Sequence, residues 1–282
     1  MAKNSGLKTF VVALLVIVAA GSAASLVWEK KEQEDAAAKT QTVEVENAYG
    51  QLIEDDRTIV GRAGETTVFE GLTAASSFIA FGDGAGTLTA AEGGELIFRN
   101  LRIKDETTDE NVPAYDKYLK LGGKLRFENC VFETSIYLTD DVEARFQNCA
   151  FESAESNWYS VWVADGNVKF TGCLFEGYRG MKIHEFADRT SEDVERVTIE
   201  NCDFLNLWTK PGLAIGTFVT PENVVIEVKN SRFIANGSWD TVGSLSGVDS
   251  FYETDCELST ITWIDENNVV EYDDEKYWTD FY

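Results

Sequence analysis

Apolar and polar residues alternate along this chain in short runs, and one such run recurs. Leu125-Arg-Phe-Glu-Asn-Cys-Val-Phe132 returns as Ala144-Arg-Phe-Gln-Asn-Cys-Ala-Phe151, Val168-Lys-Phe-Thr-Gly-Cys-Leu-Phe175, Val197-Thr-Ile-Glu-Asn-Cys-Asp-Phe204 and Ile226-Glu-Val-Lys-Asn-Ser-Arg-Phe233. Leu96-Ile-Phe-Arg-Asn-Leu-Arg-Ile103 is an earlier, looser copy. Counted at the Asn or Gly, positions 100, 129, 148, 172, 201 and 230 are separated by 29, 19, 24, 29 and 29 residues, a solenoid period. Alternation predicts a half-buried strand on each side of the Asn, and the parity slips by one residue as the chain passes it. That slip predicts a corner. A left-handed or bridging backbone would re-aim the next strand inward, and Asn and Gly tolerate such a conformation best. Stacked Asn side chains can hydrogen-bond from coil to coil.

A further short strand is predicted before each phrase, at Leu119–Leu121, Ile136–Leu138, Val161–Val163, Met181–Ile183 and Leu213–Ile215. Turn sequences such as Thr139-Asp-Asp141 and Ala164-Asp-Gly-Asn167 separate the strands. Three strands per coil predict an all-β parallel β-helix of six or seven coils, with Phe127, Phe132, Phe146, Phe151, Phe170, Phe175 and Phe204 stacked in its core. Over residues 66 to 270 these phrases resemble the right-handed parallel β-helix proteins of the pectin-lyase-like superfamily. Gly177–Glu185 together with Lys210–Gly216 also resembles β-helix modules of bacterial cell-surface proteins.

The ends of the chain read differently. Lys3 and Lys8 precede a stretch without charge from Thr9 to Trp28, whose apolar core Thr9–Ala20 is followed by small residues. Residues 1–28 therefore read as an N-terminal hydrophobic helix, either a cleaved secretory signal or a retained membrane anchor with its N-terminus inside. Both readings imply export to the extracellular space or cell surface. Residues 29–50 read as a charged linker and 51–282 as the β-helix with a C-terminal cap. Past Trp239 the strict phrase is lost, although Ser259–Ile264 still reads as a strand. The aromatic, acidic end from Glu271 to Tyr282 reads as a cap over the last coil or as a flexible tail.

Charge narrows the partners. With 49 acidic against 24 basic side chains the net charge is −25, which opposes nucleic acid and anionic lipid surfaces and suits neutral sugars, cations or basic partners. The five cysteines contain no Cys-x-x-C and no Cys/His cluster, so a zinc or redox motif is absent from the sequence. Cys130, Cys149, Cys173 and Cys202 fall on one inward position and should stack about 4.8 Å apart. That spacing fits a ladder of buried thiols and just admits a disulfide.

Candidate chemistry lies on the strand before each phrase. If its flanking residues point inward, Lys120, Tyr137, Trp162, Lys182 and Ala214 form one outward column, with Tyr159, Tyr178, Arg179 and the single histidine, His184, beside it. Aromatic faces next to hydrogen-bonding cations suit a sugar. Lys120, Tyr137, Trp162, Tyr178 and Lys182 are thus the candidate ligand-binding residues for a glycan or another cell-surface component. The same residue types are also ordinary strand formers on a solvated face.

The family resemblance implies an alternative, a polysaccharide lyase or glycoside hydrolase. Its hydrolases use carboxylates on adjacent coils with Gly-His-Gly and Arg-x-Lys segments, and its lyases an Arg or Lys base with Ca²⁺-binding acids. Here Arg179, Lys182, His184 and Glu185 would be the catalytic group, and Ca²⁺ the one ion implied. The chain departs from that pattern. It has no Gly-His-Gly and no Asn-x-Asp on the relevant coil, and Asp140-Asp141 reads as a turn. The residues themselves call for no metal or cofactor, and a binding or scaffold module is the leading expectation.

Overall fold

The computed structural model describes residues 40–44, 51–53, 58–81, 86–105, 118–139, 142–152, 159–176, 180–184, 195–207, 212–216, 218, 220–236 and 251–273. The chain divides into two compact units, Met1–Gln41 and Thr42–Tyr282. The expected hydrophobic helix at 1–28 and the aromatic end after Asp273 lie outside the described residues, as do Asp140 and Asp141.

Every third strand pairs with its counterpart in the next coil, always in parallel, and the described strands form three sheets of nine, nine and eight. The first sheet holds the strand before each corner, such as Lys124–Glu128, Glu143–Gln147, Asn167–Thr171 and Glu195–Glu200. The second holds the strand after it, such as Val131–Phe132, Ala150–Glu152, Leu174–Glu176 and Asp203–Leu207. The third contains Tyr118–Gly122, Ser135–Leu138, Val161–Val163, Met181–Ile183 and Leu213–Ile215, where the sequence placed its additional strands. This is the architecture of a parallel β-helix, all-β and without an α-helix among the described residues.

The corner is a single left-handed residue. Asn100, Asn129, Asn148, Asn201 and Asn230 hold φ between +50° and +54°, and Gly172 holds +62°. Each corner N–H donates to a carbonyl of the following coil, as Asn129 does to Gln147 at 3.0 Å and Asn201 to Lys229 at 3.0 Å. The side chains form part of the expected ladder, Asn129 Nδ2 donating to Asn100 Oδ1 at 3.2 Å and Asn148 Nδ2 to Asn129 Oδ1 at 3.5 Å. Gly172 interrupts it. A Cβ there would lie 2.8 Å from Asn148 Oδ1, so glycine at this coil relieves a close approach as well as backbone strain.

Inside, like stacks on like. Phe69, Phe98, Phe127, Phe146 and Phe170 stack in sequence on the first sheet with centroids 4.7 to 5.0 Å apart. Phe132, Phe151, Phe175, Phe204 and Phe233 do the same on the second at 4.3 to 4.9 Å. The two stacks meet edge to face, as in Phe127 against Phe132 at 67° and Phe170 against Phe175 at 66°, a favourable offset of ring quadrupoles. All seven phenylalanines expected in the core are at most 1% exposed.

Two features exceed the sequence reading. Strands Thr40–Glu44, Gln51–Ile53 and Thr58–Gly61 already belong to the three sheets, and the winding continues to Val269–Asp273, so it runs beyond six or seven coils. At the far end Thr262–Glu266, a corner at Asn267 with φ +56° and Val269–Asp273 restore the phrase. The sequence hid this copy because it stands 37 residues beyond Asn230 and carries no Cys or Phe.

Phe170→Ala should therefore lower unfolding free energy by about 3 to 5 kcal/mol, since it deletes a ring packed on Phe146, Phe175 and Phe151. Asn201→Gly should cost a few tenths and Asn201→Ala about 1 to 2 kcal/mol, because only the latter must adopt the left-handed region with a Cβ and no local hydrogen bond. Denaturant titrations of the three variants compare these costs.

Candidate functional site

The third sheet places an aromatic and cationic cluster on its outer face. Burial alternates along two of its strands, Val161–Val163 and Met181–Ile183. Val161 and Val163, Met181 and Ile183 point into the core, which turns Trp162 and Lys182 outward. The register stacks Lys120, Tyr137, Trp162, Lys182 and Ala214 on successive coils, and continues to Thr87 before and Glu253 after.

The column is not a row of independent exposed rings. Lys120 is exposed and Tyr137, Trp162 and Lys182 are half-buried, whereas Tyr159 is buried. Trp162 is the hub. Its ring meets Tyr118 edge-on at 5.6 Å, Tyr159 at 5.0 Å and His184 at 5.4 Å, and Tyr118 reaches Tyr137 at 6.1 Å. The Lys182 ammonium sits 5.4 Å from the Trp162 centroid and 5.9 Å from that of Tyr159, within cation–π range. Below this layer Ser135 Oγ donates to the Tyr159 carbonyl at 2.8 Å, which ties Tyr159 to the neighbouring coil.

The Trp162 indole N–H is covered and makes no hydrogen bond among the described residues. Leaving a buried donor without an acceptor costs about 1 to 3 kcal/mol, so such a group in a native fold points to a missing acceptor. The alternation of the sequence sufficed to predict the column. Tyr118 went unnoticed, although it shares the parity of Lys120 two residues later. Tyr178, Arg179 and Glu185 lie outside the described residues. Of the catalytic alternative the structure brings together Lys182 and His184, both against the same indole.

The thiols are a second cluster. Cys130, Cys149, Cys173 and Cys202 are buried, Cys256 is half-buried, and all five are free. They act as hydrogen-bonding groups. The Cys173 N–H donates to Cys202 Sγ at 3.4 Å, the Cys202 N–H to Ser231 Oγ at 3.1 Å and the Ser231 N–H to Asn268 Oδ1 at 2.9 Å. In return Cys130 Sγ donates to the Phe98 carbonyl at 3.4 Å and Cys149 Sγ to that of Phe127 at 3.5 Å. Burial, reinforced by the thiols on either side, pushes Cys149 well above the ordinary thiol range. A protonated, enclosed thiol is a poor nucleophile and metal ligand, and no group of three His, Cys, Asp or Glu among the described residues is placed to hold a metal ion.

Comparison with family models, curated proteins and solved structures gives no match for this chain.

Alkylation with iodoacetamide at pH 7 should accordingly modify Cys256 in the native chain and leave Cys130, Cys149, Cys173 and Cys202 unmodified until denaturant is added. Peptide mass analysis before and after denaturation reads the difference. Rapid native labelling of any of the four would show that the ladder opens.

Proposed function

We propose that this chain is an exported, cell-surface protein, a right-handed parallel β-helix of the pectin-lyase-like type, that acts as a binding or scaffold module with carbohydrate as its ligand. The ligand surface is the outer face of the third sheet, from Lys120 through Tyr137 and Trp162 to Lys182. The observation that carries this reading is the Trp162 hub, an aromatic cluster with an ammonium over it and an indole N–H that meets no acceptor among the described residues. A sugar offers what that cluster lacks, hydroxyl oxygens as acceptors and an apolar ring face to pack on aromatic edges. The acidic net charge of −25 favours a neutral glycan. Export rests on the uncharged segment from Thr9 to Trp28, cleaved or retained.

The second reading, a polysaccharide lyase or glycoside hydrolase, is favoured by the convergence of Lys182 and His184 on one indole. Lys182 would then remove a proton and His184 return one, with Arg179 and Glu185 assisting and Ca²⁺ serving the lyase version. A likeness of fold does not carry an activity, so the module remains the preferred function.

A glycan array probed with the full chain, followed by product analysis on every hit, separates the two. Trp162→Ala should weaken binding about tenfold or more, with no new reducing or unsaturated ends from the parent protein. Turnover abolished in Lys182→Ala or His184→Ala with binding retained would establish the enzyme instead.

A further inference from the structure

The outer face of the first sheet carries a second constellation, unconnected with the aromatic hub. Arg126, Arg145 and Lys169 are directly opposite one another on three successive strands, one strand spacing, about 4.8 Å, apart. Like charges at opposed positions destabilise a sheet, and their accumulation is unexpected in a chain with twice as many acidic as basic side chains. Arg196 joins them on the next strand, opposite Asn167.

Elsewhere on this face cations pair with carboxylates of the adjacent coil. Arg99 meets Glu128 at 2.8 Å, Arg126 meets Glu95 at 3.0 Å and Lys229 meets Glu266 at 3.2 Å. That pattern lapses at the strand Glu143–Gln147. Among the described residues Arg145 pairs only within its own strand, with Glu143 at 3.4 Å. Arg196 stands 3.8 Å from Glu227, whose carboxylate is engaged more closely by Lys229 at 2.7 Å and is held below the usual carboxylate range mainly by that bond. Lys169 keeps Glu200 at 3.0 Å. Arg145, Lys169 and Arg196 are 63%, 48% and 50% exposed at the side chain, where an ion pair contributes under about 1 kcal/mol and is readily exchanged.

These three cations line an open groove of about 790 Å³ whose other outward groups are Gln147, Asn167, Thr171 and Thr198, all neutral and hydrogen-bonding, with Glu143 the one acid. Among the described residues no aromatic ring faces outward there, so the groove offers charge and donors and nothing to stack on. We infer that this groove is a binding site for a compact polyvalent oxyanion, a phosphate monoester or a small tricarboxylate. Guanidinium groups take such oxygens bidentately, and Lys169 adds a point charge between them. Size follows from the electrostatics. A compact anion meets the three cations with Glu143 as the one acid lining the groove, exchanging for their exposed carboxylate partners, whereas an extended polyanion would run over the acid-rich surface around them and be repelled.

Calorimetric titration of the full chain at low ionic strength with inorganic phosphate and, separately, with citrate tests the site and tells its two sources apart. Binding of at least one is expected, about tenfold weaker in each of Arg145→Gln and Lys169→Gln. Glu143→Gln should bind more tightly, having lost the competing carboxylate, and Trp162→Ala should bind unchanged. Arg145→Lys, which retains the charge, should keep part of the affinity and guards against a folding defect in the Gln variant. Absence of heat with both anions up to about 10 mM would overturn the inference. So would affinity indifferent to Arg145 and Lys169, or tighter binding of a long sulfated polysaccharide than of citrate.

Discussion

One backbone constraint organises the molecule: from Asn100 to Asn267 each coil turns on a residue in the left-handed region. Because the corner consumes one residue between two strands, it shifts the side-chain parity and lets both the first and the second sheet aim apolar residues at the same interior. The strain of a non-glycine residue there is about 1 to 2 kcal/mol. It is offset by what Asn can do and Ala cannot, since the side-chain amide links Asn129 to Asn100 and Asn267 to Asn230 at 3.2 and 3.3 Å. The corner thus fixes register, and register fixes everything stacked on it. Phe127 lies over Phe98 because Asn129 lies over Asn100.

In-register parallel winding also explains why the fold was legible in the sequence. Each inward position sees its own equivalent above and below, so a residue type that packs well on itself is repeated, and the repeat becomes visible as Asn-Cys-x-Phe. Phe does so by stacking at 4.3 to 5.0 Å. Asn267 was missed for the same reason in reverse. At the last described coil Asn268 and Val270 stand where the earlier copies carry Cys and Phe, so the repeated residue types that make the phrase visible are missing. Asn268 occupies the Cys position and ends the relay, accepting from the Ser231 N–H and donating to the Val228 carbonyl at 2.7 Å. The sequence presented the cysteines as small apolar fillers. A second property, shown by Cys202 in accepting the Cys173 N–H next to the corner, emerges only once the coils are superposed, and Ser231 and Asn268 accept in the same way on the following coils.

Outward positions obey no such rule, which is why the candidate sites were only partly readable. Alternation predicts that Lys120, Tyr137, Trp162, Lys182 and Ala214 share a face, and the register places them there. What alternation cannot predict is which of them touch. Trp162 reaches beyond its own column to Tyr118, Tyr159 and His184 because its ring is wider than one strand spacing, and Tyr159 precedes the strand altogether. The first-sheet cations escaped notice for a related reason. Arg126, Arg145 and Lys169 are 19 and 24 residues apart, and each looks in sequence like the polar partner in an ordinary alternating strand.

The two faces show how this architecture separates what holds it together from what it does. A substitution at an inward position is felt by the coils on both sides, through a ring stack or a thiol relay, so those positions are constrained by their neighbours. Outward positions are decoupled from the core by the period of two, and a column can change from Lys to Tyr to Trp to Lys to Ala without disturbing Val161, Val163, Met181 or Ile183 beneath it. Most of the first sheet uses that freedom for inter-coil ion pairs, which contribute little each but oppose slippage of one coil past the next. Where a column sets three cations opposite one another, or encloses an indole N–H that meets no acceptor among the described residues, the choice is not explained by the fold. In a solenoid whose interior is so nearly self-repeating, departures of this kind on the outer faces are where function is to be sought.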